Sequence, residues 1–133
     1  MGRRLILDTG VLIAIERGRI DIADVLQPDD DVAIAAVTVT ELRMGIHLAD
    51  SMHRPAREAS VQRVIDRFPV ESYTLDTTDP HAELLAHCKK TGSPRGAIDL
   101  IIAATAAATS RTILTRDEKA AFDILPGVDS QTI

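Results

Sequence analysis

The sequence predicts an α/β domain in which a mainly parallel sheet carries helices on both faces. Short apolar runs of strand length alternate along the chain with longer segments whose apolar residues recur at helical spacing. This alternation is typical of βαβ units and therefore of parallel sheets. The 133 residues, 45% of them apolar, suffice for one buried core, and we interpret 1–133 as a single domain.

The first strand and helix meet at an acidic residue. Arg4–Leu7 is a short apolar run, and residues 11–16 form an apolar helical segment that Thr9 or Gly10 can open. Asp8 therefore lies at the C-terminal end of a buried strand.

A second strand and helix follow a polar turn. Pro28 and the three Asp residues after it mark the turn, and residues 32–35 form the strand. Residues 37–50 are predicted to be helical, with Thr38 as the N-cap. Glu41 stands three residues later, which is the spacing of a capping box.

The middle of the chain contributes two helices separated by a weak strand. Charged and apolar residues alternate at helical spacing over 54–68, which predicts an amphipathic helix. Residues 70–75 are interpreted as a short strand. Residues 79–90 form the next predicted helix, with Asp79 as its cap and Pro80 in its first turn.

The last third repeats the opening pattern. After a loop rich in Gly and Pro, residues 96–111 predict a buried helix that is apolar nearly all round. Residues 112–115 form an apolar strand followed by Asp117, then a helical turn over 117–122 and a final strand over 128–133. Ligands of parallel α/β sheets bind at the carboxyl ends of the strands, where Asp8 and Asp117 both fall.

Composition argues against several functional classes. Two Phe, one Tyr and no Trp leave no aromatic platform for stacking bases, and the net charge of −5 argues against a general surface for polyanions. Cys88 is the only cysteine, so no internal disulfide can form and a reducing, cytoplasmic setting is expected.

Neither secretion nor membrane insertion is expected. Asp8 interrupts the apolar run that follows Arg3 and Arg4, which is not the pattern of a signal peptide. The most apolar stretch, residues 97–108, is shorter than the roughly 20 residues that a spanning helix needs, and it contains Asp99.

Four carboxylates adjoin apolar segments: Asp8, Glu41, Asp99 and Asp117. Each alone is explained as a helix cap or as a first-turn acid favoured by the helix dipole. Together, two strand-end acids and two first-turn acids can converge on one crevice at the edge of a parallel sheet. Such a cluster repels itself unless a divalent cation lies within it, and carboxylate ligands favour Mg²⁺ or Mn²⁺ over zinc.

Four segments taken together resemble the PIN-domain ribonucleases, and most of all the VapC-type toxins of bacterial toxin-antitoxin pairs. They are LDTGVLIAI, TVTELRMG, GAIDLIIAATA and ILTRDEKAAF. The resemblance covers nearly the whole chain and implies a PIN-like three-layer fold.

The resemblance implies roles for particular residues. Asp8, Glu41, Asp99 and Asp117 would hold the metal, Mg²⁺ with Mn²⁺ as a possible substitute. Thr9 and Thr115 match the hydroxyl positions that support the site, and Thr38 matches the threonine ahead of the glutamate. Four basic residues near these segments are our candidates for phosphate contacts with RNA: Arg17, Arg43, Arg95 and Arg116.

The resemblance also implies the activity and the partners. The expected reaction is hydrolysis of RNA phosphodiester bonds by a metal-activated water, leaving a 3′-hydroxyl and a 5′-phosphate. The expected partners are a VapB-type antitoxin, whose C-terminal segment occupies an apolar groove near the site, and a second copy of the chain in a homodimer.

Three other functions are compatible with parts of the sequence. Asp8-Thr9-Gly10 is also the motif of dimeric aspartic proteases, but that fold needs many alternating strands and glycine-rich flaps. An aspartyl phosphatase would carry a second acid two residues after the first, where this chain has Gly10. A PIN-like module that binds RNA or protein without turnover stays open.

Overall fold

The computed structural model describes residues 2–133 and contains one five-stranded sheet in which every paired strand is parallel. The strands are β1 (Arg4–Leu7), β2 (Asp31–Ala35), β3 (Val70–Glu71), β4 (Thr112–Thr115) and β5 (Asp129–Thr132). Their order across the sheet is β3-β2-β1-β4-β5. The predicted mainly parallel sheet is confirmed, and β1 lies at its centre.

Helices cover both faces of the sheet. They are α1 (Thr9–Glu16), α2 (Ile22–Val25), α3 (Ala36–Leu48), α4 (Arg54–Arg67), α5 (Leu75–Thr91) and α6 (Ala97–Ala108), followed by 3₁₀ turns over Glu118–Ala120 and Phe122–Ile124. Alternate residues of β1 point to opposite faces, as the strand period requires. Ile6 packs in the core with α5 and α6, whereas Leu5 and Leu7 pack in the core with α1 and α4.

The predicted capping box at α3 is wrong. The helix begins at Ala36, directly after β2, and its N-cap is Ala35, which makes no side-chain cap bond. Thr38 is therefore fully buried within the first turn, and its hydroxyl lies 3.2 Å from that of Thr9. A contact between distant segments has taken the place of the local cap.

The boundaries around β3 also differ from the prediction. The strand covers only Val70–Glu71, and α5 begins at Leu75 rather than at residue 79. The Thr74 N–H donates to Thr77 Oγ1 at 3.0 Å, and such local side-chain bonds favour a helix start. Leu75, which the sequence places at the end of the strand, is 86% exposed and does not occupy a buried strand position.

A buried arginine connects three strands of the sheet, and it lies away from the strand-end acids. The Arg111 side chain is 5% exposed and precedes β4. Its Nη1 donates to the Leu5 and Asp31 carbonyls and to Asp31 Oδ1, and its Nη2 donates to Glu71 Oε1 at 3.1 Å. One guanidinium therefore connects β1, β2 and β3 to the start of β4, which fixes the strands relative to one another.

No helix among residues 2–133 is both long enough and apolar enough to cross a membrane.

Arg3 and Asp30 form a bidentate ion pair that holds the N-terminal segment. Arg3 donates to Asp30 through Nε at 3.0 Å and through Nη2 at 2.6 Å, and the Asp30 side chain is fully buried. The Gln27 N–H donates to Asp30 Oδ2 at 2.7 Å. The hydrogen bond from the Arg3 guanidinium lowers the pKa of Asp30 to about 2.

This depressed pKa predicts the acid sensitivity of the fold. Asp30 titrates near 4 in the unfolded chain, so its contribution to stability is fully present above that pH and is lost as the pH falls from about 4 towards 2. We expect Asp30→Asn to unfold at lower urea than wild type at pH 7, with the difference shrinking over that range. The exposed Asp24→Asn serves as control, and a difference that stays constant with pH would contradict the assignment.

Candidate active site

The strand-end acids lie side by side because β1 and β4 are neighbours. Leu7 pairs with Leu114, so the residues that follow both strands emerge at the same edge of the sheet. Asp8 follows β1, and Thr115 and Asp117 stand at the end of β4. As predicted, the segments that contain Asp8 and Asp117 lie together at the carboxyl edge of the sheet.

Asp8 is buried, with 8% of its surface exposed, and both carboxylate oxygens accept hydrogen bonds. The Thr9 N–H donates to Oδ1 at 2.9 Å, so Asp8 also caps α1. The Thr115 hydroxyl donates to Oδ2 at 2.8 Å. Burial raises the pKa of Asp8, and the charge of Asp117 raises it further, whereas these two hydrogen bonds lower it.

Asp117 is joined to Asp8 through the same hydroxyl. The Asp117 N–H donates to Thr115 Oγ1 at 3.0 Å. Its Oδ1 accepts from the Lys119 N–H at 2.9 Å and from the Ala120 N–H at 3.3 Å, so Asp117 caps the first 3₁₀ turn. Thr115 thereby connects two carboxylates with one side chain, as donor to one residue and acceptor from the other.

Glu41 is held by Thr9, the residue that follows Asp8. The Thr9 hydroxyl donates to Glu41 Oε1 at 2.5 Å, and the Thr38 hydroxyl lies 3.2 Å from the Thr9 oxygen. Thr38 can therefore donate to Thr9 while Thr9 donates to Glu41. The three side chains connect the first turn of α1 to the first two turns of α3, and Glu41 is not the first-turn acid that the sequence predicts, because α3 begins at Ala36.

Asp99 completes the group from the first turn of α6. Burial raises its pKa, and the charges of Asp8, Asp117 and Glu41 raise it further in that order. Only Arg95 acts in the opposite direction. Asp99 thus experiences the charges of the other three acids, and Asp8 experiences that of Asp117; this repulsion is what a bound cation would relieve.

The four carboxylates fit a divalent cation by their chemistry, although they do not form a closed cage. Among residues 2–133, no three His, Cys, Asp or Glu side chains already stand close enough together to hold an ion. Glu41 and Asp117 instead use carboxylate oxygens to accept bonds from Thr9 and from backbone N–H groups. Hard carboxylate oxygens at an open edge suit Mg²⁺ or Mn²⁺, which keep several waters when bound.

The four basic residues singled out from the sequence lie in different surroundings. Arg116 borders the depression that Asp8 and Asp117 share, while Arg17 lines a groove beside Glu41. Arg43 is exposed on α3. Arg95 points inward and donates to the carbonyls of Ala120 and Ala121.

Sequence reasoning missed Lys119, which borders the same depression as Arg116. Its position two residues after Asp117, within a turn that Asp117 caps, was the available signal. The 3₁₀ geometry of that turn brings Lys119 to the acids, and this geometry was not evident from the sequence.

An apolar groove of about 360 Å³ lies between α1, α3 and α4 and reaches Glu41. Leu12, Leu42, Val61 and Val64 contribute apolar walls. Polar side chains stand around them: Glu16, Arg17, Glu41, His53, Arg57 and Ser60. A segment lying in this groove would approach the carboxylates directly.

A family model described as the PIN domain matches residues 5–126, which include every acid of the site. The chain belongs to the PIN-domain family. Ribonuclease VapC5 of Mycobacterium tuberculosis is 36% identical over 131 residues, covering 96% of this chain and 92% of the relative. Ribonuclease VapC of Rickettsia bellii is 29% identical, covering 97% and 96%. The VapC-type PIN resemblance is confirmed.

Solved structures agree with this assignment. The VapBC-5 toxin-antitoxin structure from M. tuberculosis superposes with a TM-score of 0.79 at 32% identity, covering 98% of both chains. VapBC2 from Rickettsia felis, bound to a DNA fragment from its promoter, gives 0.87 at 19% identity over 98% of both chains, which speaks for the fold alone. This parallel fold excludes the aspartic protease alternative, which needs a different sheet.

The Thr115 hydroxyl of this PIN domain bonds to both Asp8 and Asp117, so we expect its removal to affect both residues. Thr115→Val keeps the side-chain shape but removes a donor to Asp8 and an acceptor for the Asp117 N–H. We expect a loss of about 1–2 kcal/mol in stability and a further rise in the pKa of Asp8 without metal. Urea unfolding and carboxyl NMR titration measure the two effects. Thr115→Ser keeps the hydroxyl and is expected to retain the Asp8 pKa; a raised pKa in both variants would contradict the role of the hydroxyl.

Proposed function

We propose that this chain is a metal-dependent endoribonuclease that acts as the toxin of a toxin-antitoxin pair. The observation that carries the proposal is the gathering of Asp8, Glu41, Asp99 and Asp117 at one sheet edge, where burial and mutual repulsion raise the pKa of Asp8 and Asp99. Two relatives of similar length are named ribonucleases, which supports the same activity here.

Each acid has a distinct structural support for holding a divalent cation. Asp8 is buried, Glu41 of α3 and Asp99 of α6 are half-buried, and Asp117 is exposed in the turn after β4. The bound ion, Mg²⁺ or Mn²⁺, would lower the pKa of a water and stabilise charge on the phosphate. Thr9 and Thr115 orient the carboxylates, because each hydroxyl donates to one of them.

The chain's own cations would hold the RNA backbone. Arg116 and Lys119 border the depression that contains Asp8 and Asp117, where a phosphate group could meet both. Phosphate contacts position a strand without reading its sequence. With few aromatic side chains in the sequence, recognition of the RNA would rest on its backbone and its shape.

Cleavage of a labelled RNA by purified protein tests the proposal. We expect cleavage with Mg²⁺ or Mn²⁺, none with EDTA, and a loss of about 100-fold or more in Asp8→Asn and Asp99→Asn, because each variant removes a charged ligand. The products should carry a 5′-phosphate and a 3′-hydroxyl.

Asp24→Asn is the matched control, since Asp24 is exposed on α2 and should leave the rate unchanged. Cleavage that survives EDTA and both site variants would overturn the proposal. Metal-independent RNA binding with no cleavage would instead favour the binding module without turnover.

We also propose that a VapB-type antitoxin occupies the groove between α1, α3 and α4. The groove is apolar within and charged at its rim, which suits an amphipathic segment. It reaches Glu41, so an occupant would control access to the acids. Homodimerisation, action in the cytoplasm and the single-domain organisation of 1–133 stay predictions.

Gly45 provides a test of this groove. A glycine inside a helix costs roughly 0.5–1 kcal/mol relative to alanine, and Gly45 lines the groove, where a Cβ would stand 3.5 Å from Arg57. We expect Gly45→Leu to fill the groove and abolish co-purification with the antitoxin of the same pair, while RNA cleavage persists. His47→Leu, exposed on the same helix, is the control; retained antitoxin binding by Gly45→Leu would contradict the location.

A further inference from the structure

Arg95 joins the loop before α6, the helix that carries Asp99, to the turn that follows Asp117. It lies half-buried between α5 and α6, directly before Gly96, the N-cap of α6. Its Nη1 donates to the Ala120 carbonyl and, at 3.1 Å, to the Ala121 carbonyl. The sequence makes Arg95 a candidate for RNA contact, but its Nη1 is directed at the protein backbone.

The turn that Arg95 contacts has an unfavourable backbone conformation. Ala121 lies between the two 3₁₀ turns with φ 46° and ψ 48°, which is the left-handed region. Residues with a Cβ adopt this region at an energetic cost and keep it only where the surroundings impose it. The two carbonyl bonds from Arg95 are such a constraint, because they fix the peptides on both sides of the Ala121 Cα.

The same turn orients Asp117. Ala120 accepts from Arg95 through its carbonyl, and its N–H donates to Asp117 Oδ1 at 3.3 Å. Asp117 is in turn bonded through its own N–H to Thr115, which donates to Asp8. A continuous chain of hydrogen bonds therefore runs from the loop before α6 to the buried acid after β1.

We propose that Arg95 is a positioning residue, which clamps the Ala120–Ala121 turn and thereby sets the Asp117 carboxylate relative to Asp99 for the cation. The proposal rests on the proposed function of the site and adds to it a residue that touches neither metal nor RNA. Arginine suits the task because it keeps its charge at all physiological pH values and because its Nη1 carries two N–H groups, enough for both carbonyls.

Arg95→Ala tests the clamp without requiring catalysis. We expect faster amide hydrogen exchange at Lys119, Ala120 and Ala121 without metal, and Mn²⁺ binding weakened about tenfold or more, the usual cost of losing a group that supports a ligand. RNA affinity in EDTA should change less than about twofold, since no phosphate contact is lost.

The kinetic signature separates positioning from RNA binding. At saturating RNA and fixed Mn²⁺, Arg95→Ala should lower kcat about tenfold with little change in KM, and higher Mn²⁺ should restore part of the rate. Arg116→Ala is the matched comparison, because Arg116 is exposed beside the acids. This variant should bind RNA more weakly and with a smaller salt dependence, while its Mn²⁺ affinity stays normal. If Arg95→Ala behaves like Arg116→Ala, the proposal is overturned.

A second variant addresses the strained turn itself. Glycine adopts the left-handed region freely, so Ala121→Gly should reduce the need for a clamp. We expect the double variant Arg95→Ala, Ala121→Gly to bind Mn²⁺ more tightly than Arg95→Ala alone, whereas an RNA-binding role predicts no such recovery. Arg95→Lys keeps the charge and one donor nitrogen, so its Mn²⁺ affinity should lie between those of wild type and Arg95→Ala.

Failure of this inference is distinguishable from failure of the proposed function. If wild type does not cleave RNA with any divalent metal, the nuclease assignment fails, while amide exchange and Mn²⁺ binding still report on the clamp. If wild type cleaves and Arg95→Ala keeps wild-type exchange, Mn²⁺ affinity and kcat, only the role of Arg95 is refuted. A thermal unfolding curve identifies any variant that is not folded, and Arg95→Lys then decides the question by the same measurements.

Discussion

The free-energy cost of bringing four carboxylates together at one edge of a small sheet dominates this structure. Burial opposes the ionisation of Asp8 and Asp99, and the neighbouring acids oppose it further. The chain offsets part of that cost with hydroxyl and backbone donors from Thr9 and Thr115. Under the proposed function a bound cation would relieve the rest, and the cost to folding would then become affinity for a metal.

Two threonines connect the acids to the rigid elements of the fold. Thr115 is the last residue of β4 and contacts both strand-end acids, while Thr9 begins α1 and holds Glu41 of α3. Side chains that stand on strand ends and first helical turns have little freedom to move. The strands are themselves fixed by Arg111, which joins β1, β2 and β3 to the start of β4.

The arginines near the site divide into two structural roles. Arg95 and Arg111 direct donors to backbone carbonyls, and Arg111 also contacts the carboxylates of Asp31 and Glu71. Arg116, together with Lys119, borders the open depression beside the acids, where a phosphate can approach. The same residue type therefore lies in a structural or in an open setting according to what surrounds it, and residue type alone does not separate the two.

The sequence by itself determined the parallel α/β fold and the strands that carry Asp8 and Asp117, because hydrophobic period and strand-end position are local properties of the chain. The prediction that Glu41 and Asp99 join them rested in addition on the resemblance to the PIN-domain family. Only the tertiary structure decided that Thr38 bonds to Thr9 instead of capping a helix, and that Arg95 turns towards Ala120. It also decided that Lys119 borders the acids. Each of these depends on segments that become neighbours only when the sheet assembles, so no local pattern specifies them.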